Sequence, residues 1–308
     1  VSAPREQFEK HKADLYAALV GSSVLGRSYA ATAIGELPYR SMANIPDLLF
    51  EAFGALLWDQ YVAVHKAAVN AFHRSIVPEQ FRPNAARAIL NLIHYYRVQS
   101  NEDQFLAQCV RILAGMADLF GKGSRAVRRY LIEVAMGIDP LYLRSDIQSL
   151  SYSLGSEPEF PKLAARMIPH LADRHNQSDE AMNLLGRVPP DGLKANAQAF
   201  HDAAIAVLDS ELRAALGIVE AFLRADMPDE ADALMTALLE MNGDTVRMRR
   251  RGTLLRWPQL ALRFERAVSA RDADAVSEAS RAWSEAAAVD TQDKEDGRER
   301  RARSGLPF

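Results

Sequence analysis

The chain has little of what most sharply narrows a function. Cys109 is the single cysteine in 308 residues, so no disulfide closes within the chain and a reducing, cytoplasmic setting is the simplest expectation. No sign of charge dominates: 37 Lys and Arg stand against 40 Asp and Glu, a formal net charge of −3. Bulk electrostatics therefore draw neither a polyanion nor a membrane surface to the chain. No run reaches the roughly 18 apolar residues that a membrane-spanning helix needs. Alternating Val, Ile and Thr runs closed by hairpin dipeptides are missing, so no strand is expected.

Catalytic signatures are equally scarce. There is no Gly-x-Ser-x-Gly elbow, Walker loop or dinucleotide fingerprint, so acyl transfer, nucleotide hydrolysis and hydride transfer have no visible machinery. No Cys-x-x-Cys or His-Glu-x-x-His spacing occurs either. The nearest metal-like group is His170, Asp173 and His175. Its first two members share a helix face, and the third, five residues on, points elsewhere. Cys109 lies on an apolar stripe and reads as a buried, inert thiol. The acid pairs Glu102-Asp103, Asp179-Glu180 and Asp229-Glu230 stand at helix starts, where negative charge is favoured by the helix dipole. No enzyme activity, cofactor or metal is expected.

What remains is an ordinary globular balance, 48% hydrophobic and 25% charged, over a length that suits two domains or one repeat array. Helical periodicity fills it. Leu49, Ala52, Phe53, Leu56 and Leu57 form one stripe at 3–4 spacing, and Tyr61, Val64, Ala68, Ala71 and Phe72 form the next. Others run through Ile89, Leu92, Ile93 and Tyr96, through Phe105, Cys109 and Leu113, and through Leu131 and Val134. Later stripes include Phe200 with Val207, Val219 with Phe222, Leu234 with Leu238, and Phe264 with Ala267. The pattern predicts about fourteen helices.

The breaks carry turn chemistry. Asn101 and Gln104 suggest a capping box, Gly121 and Gly123 a helix end, and Asp139-Pro140 a stop. Gly155, Pro158 and Pro161 form the richest breaker cluster of the first half, and Pro189, Pro190 and Gly192 that of the second. Short loops between successive helices mean antiparallel neighbours, and many of them in a row stack, because one helix pair cannot bury its apolar face alone. The N-terminal region imitates a signal peptide, with Lys10 and Lys12 before the Leu15–Gly26 run. Glu6, Glu9, Asp14 and Arg27 favour an amphipathic helix instead. The sequence begins at Val1, which suggests a processed chain or a piece of a longer one.

Trp58-Asp59-Gln60-Tyr61-Val62-Ala63-Val64-His65-Lys66-Ala67-Ala68 resembles the second helix of a HEAT repeat: an aspartate in the turn, then valine and a basic residue, then paired alanines. His65 stands where that family usually has arginine. Val127-Arg128 gives a partial second match, with Tyr130 in place of a small residue. Asp179-Glu180-Ala181 and Asp229-Glu230-Ala231 resemble the helix starts of tetratricopeptide repeats, with Asp272-Ala273-Asp274 as a looser copy. Their spacing near 50 residues differs from that family's ~34. The resemblances imply an all-α fold, an α-α superhelix of antiparallel hairpins, HEAT-like over 1–155 and tetratricopeptide-like over 156–289, with a charged tail over 290–308. They also imply a binding scaffold.

One local anomaly breaks the charge balance. Arg247, Arg249, Arg250, Arg251 and Arg256 crowd beside Trp257, and Arg125, Arg128 and Arg129 form a second patch. Such groups could contact phosphates with an indole for stacking, an acidic protein, or acidic faces of neighbouring helices. The expectation is a non-enzymatic interaction module for an extended protein partner, possible as the sensor or adaptor arm of a larger assembly such as a signalling NTPase. The alternative is nucleic-acid binding through a basic concave face. HEAT-like alkylpurine DNA glycosylases do this, a likeness at fold level for which Trp58-Asp59 is the sole aromatic–acid pair to nominate.

Overall fold

A computed structural model describes residues 4–36, 47–74, 78–99, 101–172, 178–208, 212–241, 263–264, 266–268, 270–285 and 288. The fold is all-α, and no strand occurs among the described residues. The chain divides into two compact units, Val1–Leu163 and Ala164–Phe308.

The first unit is built from α1 (Pro4–Val20), α2 (Val24–Gly35), α3 (Asp47–Leu56), α4 (Val62–Arg74), α5 (Arg82–Tyr96), α6 (Asp103–Ala114), α7 (Ser124–Gly137), α8 (Pro140–Leu143) and α9 (Ile147–Leu154). Helix α10 (Phe160–Leu171) carries the division between the units. Each pair α1/α2, α3/α4 and α5/α6 packs as a hairpin, and the second helices touch in a row, α2 on α4, α4 on α6 and α6 on α9. The stripes explain this packing. Ile34, Phe53, Leu57, Ile89, Ile93, Tyr96, Leu113 and Leu131 are all but fully buried, and a large apolar side chain moved out of water contributes roughly 1.5–3 kcal/mol. Tyr61 departs from its stripe. It sits ahead of α4, 46% exposed, where the chain has not yet entered the helix.

Local chemistry sets the helix ends. The N-terminal apolar run splits at Gly21–Ser23, where the Ser23 hydroxyl accepts from the Gly26 N–H at 3.1 Å and starts α2. Asp139 caps α8 by accepting from Leu141 N–H, with Pro140 at the first helical position. Two expected ends are corrected. Asn101 takes a left-handed φ of 69° and Glu102 becomes the N-cap of α6 with no side-chain cap bond, so the capping box does not form. Helix α6 stops at Ala114, and Gly121 lies instead inside a following 3-10 segment, Ala117–Gly123, at φ 53°.

The second unit contains α11 (Ser178–Leu185), α12 (Pro190–Ala195), α13 (Ala197–Val207), α14 (Leu212–Arg224) and α15 (Pro228–Glu240), then α16 over residues 273–285. Helix α14 packs on α11, α13 and α15, and α13 also reaches α15, around buried Phe200 and Phe222. Two turns here share one device. Met227 N–H donates to Phe222 O and Asp226 N–H to Leu223 O, while Asp226 sits at φ 56°. Asp272 N–H donates to Ala267 O and Arg271 N–H to Val268 O, with Arg271 at φ 54°. Both are Schellman caps whose left-handed position, usually glycine, holds a side chain. They precede Asp229-Glu230-Ala231 and Asp272-Ala273-Asp274, whereas the segment before Asp179 lies outside the described residues.

Two outcomes are expected in urea denaturation. A Cβ at Gly35 would lie 2.7 Å from Ala71 Cα and 2.9 Å from its Cβ, so Gly35→Ala pries α2 from α4 and costs about 1–3 kcal/mol. Asp226→Gly removes a left-handed strain at an exposed turn and stabilises by about 0.5–1 kcal/mol.

Candidate functional site

Polar side chains in the first unit are arranged mainly to join one hairpin to the next. Arg27 in α2 donates through Nε to Asp59 Oδ2 at 2.8 Å, just before α4. Lys66 in α4 reaches both Glu102 oxygens at 2.6 and 2.8 Å, at the N-cap of α6. Arg111 in α6 lies 3.3 Å from Asp146, the N-cap of α9. A cation inside one second helix thus meets the acid that opens the following one, three times in succession. The third rung differs from the others. Arg111 Nε and one terminal nitrogen are buried without a hydrogen-bond partner. Desolvation lowers the pKa of Arg111 and raises that of Asp146, outweighing their mutual attraction. Burial of this pair costs more than its geometry returns.

Between the first two rungs lies a buried polar network. The Asp59 carboxylate also accepts from Tyr61 N–H, and its backbone carbonyl faces His65 Nδ1 at 2.9 Å. A carbonyl only accepts, so Nδ1 carries the proton and Nε2 accepts from the Tyr96 hydroxyl at 2.6 Å. Tyr96 and Phe105 meet edge to face, 4.9 Å between centroids, and Lys66 Nζ sits 5.3 Å from each ring centre. Burial, with the Glu102 charge, pushes the Tyr96 phenol up to about 12. The Cys109 thiol is fully buried nearby, and desolvation raises it well above its ordinary value. This is a neutral thiol without nucleophilic character. Asp59, the acid beside Trp58, is engaged by Arg27 and by the Tyr61 N–H.

The predicted arginines fall in two groups. Arg247, Arg249, Arg250, Arg251 and Arg256, like Trp257, Asp173 and His175, lie outside the described residues. Arg125, Arg128 and Arg129 occupy the first turns of α7 and converge on one carboxylate. Glu157, 5% exposed, lies 3.6 Å from Arg125 Nε and 3.8 Å from both Arg128 and Arg129. Arg129 also pairs with Glu159 at 3.3 Å, and Arg128 with Asp118. Most of this patch is spent within the fold. Glu157, Glu159 and Asp118 carry no motif in the sequence, so nothing there announced the neutralisation.

Two open clefts flank these features. One, of about 310 Å³, is bordered by Trp58, Asp59, Gln60, Val62, His65, Asn91, Leu92 and Tyr95. Trp58, Val62 and Tyr95 are about half exposed there. The other, of about 780 Å³, lies along α7 and the start of α10, bordered by Lys122, Arg125, Ala126, Arg129, Tyr130, Ile132, Glu133, Met136, Glu159 and Lys162. No group of three or more His, Cys, Asp or Glu fit to hold a metal ion occurs among the described residues. No described helix is long and apolar enough to cross a membrane.

Comparison with known protein families finds no match. Comparison with curated protein sequences finds none either. Among solved structures, the crystal structure of an engineered protein aligns over 92% of this chain and 92% of its own at 14% identity, with a TM-score of 0.36. A likeness of that size carries no argument about fold or role.

The buried network has a pH signature. The Tyr96 phenol titrates at about 12 in the fold against 10.0 when free. Its contribution to stability is therefore complete below pH 10 and is lost as pH rises through the folded value. Thermal melts between pH 9 and 12 should show the native protein losing stability more steeply than Tyr96→Phe. At neutral pH that variant leaves His65 Nε2 without a donor and is less stable by about 1–2 kcal/mol.

Proposed function

We propose that the protein is a non-enzymatic interaction module, an α-solenoid of stacked hairpins that binds an extended segment of a protein partner. The observation that carries this reading is the cleft bordered by Trp58, Val62 and Tyr95. Two exposed aromatic rings and a branched apolar side chain border it together with the exposed amide of Asn91. Aromatic anchors with nearby polar groups are the composition that dominates protein–protein binding energy. The disposition of charge agrees. Acids that could have served catalysis face cations of the adjacent hairpin: Glu102 meets Lys66, Asp179 meets Arg213 at 3.0 Å, and Asp229 meets Arg266. HEAT-like and tetratricopeptide-like ancestry, and service as the sensor or adaptor arm of a larger assembly, extend the same proposal.

A second reading keeps nucleic acid as partner, on the density of Arg247, Arg249, Arg250, Arg251 and Arg256 beside Trp257. The convergence of Arg125, Arg128 and Arg129 on Glu157 counts against their share in it.

Peptides selected from a random displayed library on the full chain test the first reading. Selected peptides should carry apolar anchors, and Trp58→Ala or Tyr95→Ala should weaken their binding about tenfold or more. The reading fails if no selected peptide depends on either ring. The second reading gains if duplex DNA binds at about 50 mM salt, with a steep salt slope that Arg249→Ala, Arg250→Ala and Arg251→Ala together flatten.

A further inference from the structure

The larger cleft carries a charge imbalance that the rest of its unit does not. Around α7, six cations (Arg97, Lys122, Arg125, Arg128, Arg129 and Lys162) stand near four acids (Asp118, Glu133, Glu157 and Glu159). Every acid is engaged by an arginine. Glu133 accepts from Arg97 at 3.0 Å, Asp118 from Arg128, Glu159 pairs with Arg129, and Glu157 lies among Arg125, Arg128 and Arg129. The surplus is Lys122 and Lys162. Both are exposed, both border the cleft, and neither has an ion-pair partner among the described residues. Ala126, the Tyr130 ring, Met136 and buried Ile132 add apolar surface to the same border.

We propose that this cleft docks an acidic segment of a protein partner, its carboxylates against Lys122 and Lys162 and an apolar side chain against Met136 and Ala126. The proposal rests on the interaction-module reading and names the chemistry of the partner. Charge complementarity selects the occupant. The two cations left over once every nearby acid is engaged attract an acidic segment to this cleft. The same cleft suits nucleic acid poorly. Its border mixes Glu133 and Glu159 with aliphatic Ala126 and Met136, so a phosphate track charged at every step meets repulsion that a segment of spaced carboxylates and apolar side chains avoids.

The test uses the full chain and fluorescence polarisation with three labelled probes: a short peptide alternating Glu and Leu, the same peptide with Gln for Glu, and a DNA duplex. The Glu peptide should bind and weaken as salt rises, and the Gln peptide should bind roughly tenfold more weakly or not at all. Lys122→Glu combined with Lys162→Glu should cut affinity for the Glu peptide by about tenfold or more. Lys194→Glu, on an exposed lysine of the second unit, should leave it unchanged. Neither cleft lysine holds an ion pair among the described residues, so circular dichroism and the thermal midpoint of the double variant should match the parent. The proposal is overturned if the Glu peptide fails to bind at about 50 mM salt, if the double variant binds it equally well, or if the duplex is the probe that depends on the two lysines. If library peptides dependent on Trp58 or Tyr95 still bind while the Glu peptide does not, this proposal falls alone. If both fail, the interaction-module reading falls with it.

Discussion

A helix hairpin buries its apolar stripe only against another hairpin, and any polar group trapped at that seam needs its partner on the neighbour. The seams of the first unit meet this condition with charge. Arg27, Lys66 and Arg111 each span from one second helix to the acid opening the following one. Backbone and side-chain bonds add to them, with Asp139 N–H donating to Asp103 and Tyr130 meeting His94. These bridges join residues 32 to 36 apart, and Arg266 with Asp229 spans 37. The regularity of the stack is thus written in pairs of unlike residues rather than in one recurring motif.

That explains what the sequence could and could not disclose. Helices were legible because Phe53, Ile89, Leu113 and Phe222 fall on 3–4 periodic stripes, a local property of the chain. The acids at Glu102, Asp179 and Asp229 were legible as helix starts, since first-turn charge is also local. Their cationic partners were not, because a bridge across 36 residues leaves no spacing rule a single sequence can expose. The arginine patch around Arg128 illustrates the point most sharply. Three basic residues in five positions resemble a polyanion site, and only the fold brings the isolated Glu157 beneath them. Turn chemistry erred in the same way at Asn101. A good capping residue adopted a left-handed backbone, so its neighbour Glu102 took the cap position and bonded Lys66 instead.

The network of His65, Tyr96, Lys66 and Glu102 suggests why polar residues persist inside an otherwise apolar stack. A seam of alanine and leucine could slide by one turn of helix at little cost. A seam in which Nδ1 of His65 meets the Asp59 carbonyl, and Nε2 meets one particular hydroxyl, has a single register. Within this segment the His65 imidazole fixes its own ring orientation through both nitrogens.

Cys109, the lone cysteine, is wholly buried on α6. A thiol reagent reaches it only in the instants when α6 parts from its neighbours. The chain therefore contains its own stopwatch for seam opening, one whose ticks an alkylating agent can count without any engineered label.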